Sequence, residues 1–284
     1  AIGLKELWEI NEENFDDGLV EHSMGWPLSD ETKGGSFLYH FDKNLVSIGY
    51  VIHLNYTNPY VSPFDEFQQF KTHPSVKKVL KGGKRISYGA RAITTGGYQS
   101  VPKLYFPGGA IIGCSAGFLN YPKIKGTHNA MESGMLAAEA IIDNYISNNQ
   151  ENDLTNYQEK YENSRIAKEL KRVRNIKPYQ ARYGVLLGTL FSGLDMWLST
   201  FGITVPFTLG HNKPDHKTLR KASECNEIEY QKPDGKFSFD KLSSVFLSNT
   251  NHEEDQPSHL TLKDSLIPIS YNLPEYDEPA QRYC

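Results

Sequence analysis

Residues 111–141, IIGCSAGFLNYPKIKGTHNAMESGMLAAEAI, place an apolar strand, a glycine-bearing loop and a small-residue helix in one unbroken run, and nothing else in the chain constrains the fold as strongly. Gly109, Ala110, Ile111, Ile112 and Gly113 read as a strand of small and branched residues that can be buried on both faces. From Thr127 the spacing becomes helical, with Ala130, Gly134, Ala137, Ala138, Ile141 and Tyr145 on one side as far as Asn148 and Asn149. Side chains that small permit close packing on a sheet. Gly113, Gly117 and Gly126 let the backbone approach a ligand, and a helix opening after Gly126 aims free N–H groups and partial positive charge into the loop. The same pattern also suits an ordinary strand-to-helix connection in an α/β fold. It is not a Walker A loop, because Lys125 precedes its glycine, and no GxGxxG follows any strand.

A chain of 284 residues has the mass for one large α/β domain or about two smaller ones. Its 38% hydrophobic and 23% charged residues exclude a polytopic membrane protein and a disordered, highly charged chain alike. With a net charge of -4 there is no basic footprint for phosphate backbones, so no nucleic-acid partner is expected. Cys114, Cys225 and Cys284 are too few and too far apart for a disulfide framework, which suits a reducing compartment. Acidic residues recur from Glu6 to Glu21, unlike any signal or transit peptide, and the final cysteine is an odd place for a domain to finish. The chain therefore reads as a fragment cut at both ends.

Residues 34–56 predict two antiparallel strands around Asp42, Lys43 and Asn44, and residues 62–80 predict two short helices parted at Pro74. Short strands are expected over 85–113, a helix over 157–173 and a hairpin turn at Lys232–Gly235. Residues 183–210 are the most apolar stretch and long enough to cross a bilayer, but Asp195 near the centre would cost about 2.5 to 3.5 kcal/mol. Glycines and Pro206 weaken a lone spanning helix further. The stretch is expected to lie in a membrane interface, with Leu194, Trp197, Leu198 and Phe201 in lipid. Just upstream, residues 165–182 carry seven basic residues against the single acid Glu169, a charge suited to an anionic surface. A core helix behind a solvated basic helix remains the alternative.

Other clusters say less. His252 and His259 flank a proline at a spacing that does not match a compact zinc site, so the run reads as a capped turn. Lys84, Arg85 and Arg91 either anchor a phosphate or are solvated, and Cys114 reads as a small apolar residue.

Residues 25–39 (GWPLSDETKGGSFLY), 82–91 (GGKRISYGAR), 111–141 and 249–260 (NTNHEEDQPSHL), with the final RYC, closely resemble the electron transfer flavoprotein-ubiquinone oxidoreductase family, and the likeness covers nearly the whole chain. The resemblance implies a membrane-associated enzyme on the matrix side of the mitochondrial inner membrane. Such an enzyme takes electrons from electron transfer flavoprotein and passes them through FAD and a 4Fe-4S cluster to ubiquinone. The implied fold is mixed α/β: an FAD-dependent reductase-type core with an inserted quinone-binding domain and the start of a ferredoxin-like iron-sulfur domain. Its expected divisions are a ubiquinone-binding part over 1–88, an FAD-binding segment over 89–148, a basic and membrane-associated part over 149–225, and the iron-sulfur domain from 226 to 284.

By the same resemblance Gly113, Ser115, Gly117, Gly126 and Thr127 bind FAD, with Asn120 and Lys123 as secondary neighbours. The wider superfamily of FAD-dependent reductases has Gly-Asp where this chain has Gly113–Cys114, so the ribityl contact rests on backbone and Ser115. Gly34 and Gly35 match the glycine pair whose backbone meets the quinone headgroup, with Phe37 and Tyr39 as lining residues, and Cys284 matches the first cluster ligand, its partners lying outside the chain. No catalytic side chain is assigned. Two other readings stand beside this one: a geranylgeranyl-reductase-like FAD enzyme, disfavoured by the long tail after residue 226, and a non-catalytic membrane-binding module.

Overall fold

The computed structural model describes residues 1–147, 154–211, 213–258 and 260–282. The chain forms two compact units, Ala1–Ala92 with Lys213–Cys284, and Ile93–Asn212. The architecture is mixed α/β.

The first unit is built on β1 (Ile2–Glu9), β2 (Val20–Ser23), β3 (Gly34–Phe41), β4 (Leu45–Ile52) and β5 (Lys84–Ala92), an antiparallel sheet in the order β2-β3-β4-β1-β5. The hairpin expected over 34–56 forms, and Asp42 and Asn44 take the left-handed conformation its turn requires (φ 52° and 57°). Helices α1 (Pro63–Phe70) and α2 (Pro74–Leu80) form as predicted. Ser62 caps α1, and each helix opens on a proline, where the missing N–H costs nothing. Their Phe64, Phe67, Phe70, Val76 and Leu80 share one core with Leu4, Trp8, Ile48 and Tyr50 of the sheet.

The second unit begins with a short pair, β6 (Tyr105–Phe106) and β7 (Gly109–Ala110). The buried strand expected through Gly113 stops at Ala110: Ile112 is 45% exposed and residues Gly113–Ala116 form a 3-10 turn. Left-handed Gly113 and Gly117 (φ 60° and 83°) turn the chain away before a longer ladder can form. Four helices follow: α3 (Thr127–Ile146), α4 (Thr155–Asn163), α5 (Arg165–Arg172) and α6 (Ile176–Thr200). The single helix expected over 157–173 is two, because Ser164 adopts extended backbone (ψ 170°), ends α4 and caps α5 by accepting the Ala167 N–H. Leu104, Phe118, Ala137, Ala140, Tyr157, Tyr161, Ile166 and Leu170 form this unit's core.

Among the described residues, the remainder of the first unit from Lys213 carries α7 (Lys241–Ser248), the four-residue α8 (Leu273–Tyr276) and single turns. The Lys232–Gly235 signal makes a closed loop without strands, organised by Asp234, whose Oδ1 accepts the N–H groups of Lys236, Phe237 and Ser238 at 2.8, 2.8 and 2.9 Å. Burial pushes this carboxyl upward, but the bonds from Ser238, Lys236 and Phe237 outweigh it and hold the pKa at about 2, below the ordinary 3.8. Its stabilising contribution is therefore complete above pH 4 or so and disappears as pH falls towards about 2. Acid unfolding of Asp234→Asn should lack that component, so its stability relative to wild type should become steadily less unfavourable across this window in pH-resolved urea denaturation.

Candidate functional site

The sheet register separates the two glycines predicted to meet a quinone. The His53 N–H donates to the Lys33 carbonyl at 2.9 Å, so 33/53 is a hydrogen-bonded rung and 35/51 is the next one along β3 and β4. Gly35 therefore spends its amide on Val51. Gly34 points its N–H and C=O the other way, towards β2, whose last paired residue, Ser23, lies opposite Ser36. Of the pair, Gly34 is the one whose backbone faces beyond the ladder. Neither position accepts a side chain: a Cβ on Gly34 would come within 2.4 Å of the Val51 oxygen, and one on Gly35 within 2.7 Å of the Ser23 oxygen. Phe37 and Tyr39 lie together on the odd-numbered face of β3, rings 5.1 Å apart, with Phe37 covering Gly49. The even-numbered face holds Ser36 and Leu38 over a cavity of about 240 Å³, also lined by Met24, Trp26, Phe70 and His73.

In the second unit the glycine loop is fastened to α3. The Gly113 N–H donates to Ser133 Oγ at 2.9 Å, and Asn129 Nδ2 donates to the Phe118 carbonyl at 2.9 Å. The first intrahelical bond of α3 runs from the Ala130 N–H to the Gly126 carbonyl, leaving the amides of Thr127, His128 and Asn129 without helical acceptors. Gly126 is the N-cap and supplies no side-chain cap; Thr127 and Ser115 are exposed, and the buried Asn129 Oδ1 lacks a hydrogen-bond partner. Left-handed glycines and uncapped amides fit an electron-rich group, and the orphaned Asn129 Oδ1 fits one that also carries an N–H or O–H donor. A Cβ on Gly126 would meet Leu119 Cδ1 at 3.2 Å, so the close approach at that glycine is to its own loop.

Glu169, the one acid of the basic run, organises the far side of this loop. Its carboxylate accepts from Asn120 Nδ2 at 2.6 Å and His128 Nε2 at 3.1 Å, with Lys123 Nζ at 3.8 Å. Burial favours the protonated form, but the bonds from Asn120 and His128 and the charge of Lys123 hold its pKa below the usual carboxylate range. Asn120 and Lys123 are thus turned towards Glu169. The basic run is similarly engaged: Arg165 binds Glu132 at 2.8 Å, Arg172 the Ser199 carbonyl at 2.9 Å, Arg174 the Val205 carbonyl at 2.7 Å and Arg182 the Gly210 carbonyl at 3.1 Å. The guanidinium groups of Arg172, Arg174 and Arg182 fasten residues 199–210.

Helix α6 has its polarity reversed. Gly184 interrupts it with φ 75° and ψ -176°, and the following arm packs back so closely that a Cβ on Gly188 would lie 2.5 Å from the Gln180 Cα. Gly188, Ser192 and Asp195, at spacings of four and three, face inward; Asp195 is 6% exposed, with Asn175 and Tyr179 against its carboxylate, and burial raises its pKa. The apolar residues face outward: Leu186 is 84% exposed, Phe201 65%, Trp197 59% and Leu194 52%. Leu198 is half-buried, whereas Leu186, Leu187 and Leu190, which the sequence reading omitted, belong to the exposed face. Among the described residues no helix is long and apolar enough to cross a membrane.

Comparison with known proteins joins these features. Residues 1–93 match the family model "ETF-QO, ubiquinone-binding", and residues 235–284 match "Electron transfer flavoprotein-ubiquinone oxidoreductase, 4Fe-4S". The chain is 55% identical over 285 residues to electron transfer flavoprotein-ubiquinone oxidoreductase of Pseudomonas aeruginosa and 53% identical over 292 residues to the mitochondrial protein of Sus scrofa, with 100% of this chain covered in each case. The chain belongs to the electron transfer flavoprotein-ubiquinone oxidoreductase family. It spans 51% and 47% of those relatives, about half their length. Among solved structures, a geranylgeranyl bacteriochlorophyll reductase-like protein from Thermoplasma acidophilum aligns with a TM-score of 0.49 and 18% identity over 73% of this chain and 48% of that one, too distant a likeness to carry a conclusion.

The two segments matched by the family models meet in a buried ion cluster that sequence reasoning missed. Glu6 of β1 is fully buried and accepts from Lys71 Nζ at 2.8 Å on both oxygens, from Arg85 Nη1 at 3.1 Å and from Trp8 Nε1 at 2.8 Å. Arg85 reaches on to Ser244 Oγ of α7 at 2.7 Å and lies 3.8 Å from the ring centroid of Phe239. It is therefore neither solvated nor free for a phosphate. Cys284 and His259 lie outside the described residues; Cys114 and Cys225 are half-buried free thiols.

Proposed function

We propose that this chain is the quinone-side half of an enzyme that accepts electrons from reduced electron transfer flavoprotein and delivers them through FAD and a 4Fe-4S cluster to ubiquinone. The observation that carries the reading is identity of 53–55% maintained along the whole chain to two proteins of that name. FAD would supply the change between two-electron and one-electron transfer. Gly113, Gly117 and the uncapped amides from Thr127 would hold it, Ser115 being exposed beside them, and Glu169 would fix the loop through Asn120 and His128. Cys284 would be one of the cluster's thiolate ligands. Gly34 offers the quinone an uncharged backbone donor, which suits a carbonyl in apolar surroundings where a bare charge would be costly. The outward apolar face of α6 would seat the enzyme on the matrix side of the mitochondrial inner membrane, the compartment in the name of the Sus scrofa relative.

The decisive assay uses the full-length protein with its cofactors. Reduced electron transfer flavoprotein should bleach its flavin, and a short-tailed ubiquinone should reoxidise it; absence of either half-reaction would overturn the reading. A separate readout tests the glycine loop. Gly126→Val places a branched side chain against Leu119 and displaces the loop, so the purified variant should contain less than about a tenth of the wild-type FAD, as measured by flavin absorbance per protein. Full flavin content would remove this loop from the FAD site.

A further inference from the structure

Reduction of a quinone needs protons as well as electrons, and the cavity beside Gly34 contains a side chain suited to supply them. Alternation along β3 puts Gly34, Ser36 and Leu38 on one face; Ser36 and Leu38 line the cavity, and Gly34 follows next along that face with Leu28 packed over it. Phe70, Val76 and Trp26 make much of the lining apolar, while the Ser23 and Ser36 hydroxyls, 2.5 Å apart, and His73 are polar. His73 sits at the N-cap of α2 with its ring 5.3 Å from that of Trp26. The Ser75 N–H donates to His73 Nδ1 at 3.4 Å, and Ser75 Oγ lies 2.7 Å from the same atom. Those bonds occupy Nδ1 as an acceptor, which assigns the proton of the neutral ring to Nε2. The residue is exposed to solvent on one side and lines the cavity on the other.

We propose that His73 is the proton donor for quinone reduction in this cavity. The inference rests on the quinone reading above. The quinone accepts two electrons from the reduced cofactors of the intact enzyme and two protons; each C=O becomes C–O–H. His73 transfers its Nε2 proton to one quinone oxygen as Nδ1 takes up a proton from solvent through the Ser75 hydroxyl, so the ring stays neutral, and the oxygen at the opposite end of the quinone ring takes its proton from water. Imidazole is the side chain best suited to such a relay near neutral pH. The other titratable groups lining the cavity are Glu21 and His22 of β2; Lys77, one turn further along α2, is directed to the Phe237 ring at 5.5 Å.

The test compares wild-type holoenzyme with His73→Gln, which retains a polar side chain but cannot relay a proton. Flavin reduction by the donor protein should be unchanged, whereas quinone turnover should fall by about 100-fold, its pH dependence should flatten, and added imidazole should restore part of the rate. Wild-type turnover with an unaltered pH profile would overturn the proton role while leaving the quinone reading intact. Parallel loss of flavin reduction and quinone turnover would reduce His73 to a structural cap and also overturn it. Occupancy is read separately, by quenching with a short-tailed quinone of the fluorescence that Trp26→Phe removes. If that component is not quenched while turnover proceeds, the quinone binds elsewhere and the proposal fails.

Discussion

Replacing Glu6 with alanine should lower the unfolding free energy of the sheet-bearing unit by about 3–5 kcal/mol, the usual consequence of removing one partner from a buried ion pair. The loss is expected to be large because Glu6 answers two cations at once. Lys71 is fully buried with its amine 2.8 Å from the carboxylate, and Arg85 is 8% exposed. Burial pulls the Lys71 pKa down to about 8 while the attraction of Glu6 opposes it, so without Glu6 the amine faces desolvation alone. Cation–ring contacts with Phe67 and Phe239, at 5.1 and 5.0 Å, recover only a fraction of that cost. Because Arg85 also holds Ser244 of α7, the variant should loosen the segment matched by the iron-sulfur model before the sheet itself melts. Urea denaturation gives the energy, and limited proteolysis around residues 240–250 gives the order of events. A change under about 1 kcal/mol would mean that water reaches the cluster. Replacing Glu6, Lys71 and Arg85 together by apolar residues of similar size should restore part of the loss.

The second large effect concerns attachment. Leu190→Asp combined with Trp197→Asp should reduce partition onto vesicles containing anionic lipid by at least 100-fold. Each large apolar side chain contributes about 1.5–3 kcal/mol when it leaves water, so two of them account for several kcal/mol. Both residues are exposed, 66% and 59%, so the substitutions remove little packing and the melting temperature should stay near wild type. Raising the salt concentration should have a much smaller effect, since most of the basic run upstream is committed to the protein's own carbonyls and carboxylates. Cosedimentation with vesicles measures both. Unchanged binding by the double variant, or full release by salt, would show that the outward face of α6 is not the attachment surface.

What was legible in the sequence was local. The hairpin at Asp42–Asn44, the pair of helices opening at Pro63 and Pro74 and the helix after Gly126 each carry their own turn, cap or periodicity signal within a few residues, and all form. The last, however, buries Asn129, Ser133, Ala137 and Ala140, while Ala138, Ile141 and Tyr145 of the face expected to pack are exposed. The family likeness was likewise legible because it lies in short runs of quoted residues. Strand β1 escaped notice because Glu6 interrupts the apolar alternation of Ile2, Leu4 and Trp8, and its partners Lys71 and Arg85 stand 65 and 79 residues away. The strand expected through Gly113 was misread for the converse reason: small residues suit a buried strand and a tight turn equally, and only the backbone angles distinguish them.

For function the division is similar. Composition and spacing marked residues 183–210 as an interfacial segment, but they did not tell which side faced the protein. That follows from Gly184 folding α6 back on itself, so that Gly188, Ser192 and Asp195 pack inward and the leucines turn out. The basic run looked like a free cationic surface because sequence lists charges without their partners. Gly34 and Gly35 are equivalent on paper, and it is the phase of the β3–β4 ladder that gives one amide to Val51 and leaves the other facing past the end of β2. Residue types and short-range spacing determined which segments could do the chemistry; long-range pairing decided which atoms in them are free to do it, because a hydrogen bond already made within the fold is no longer available to a ligand.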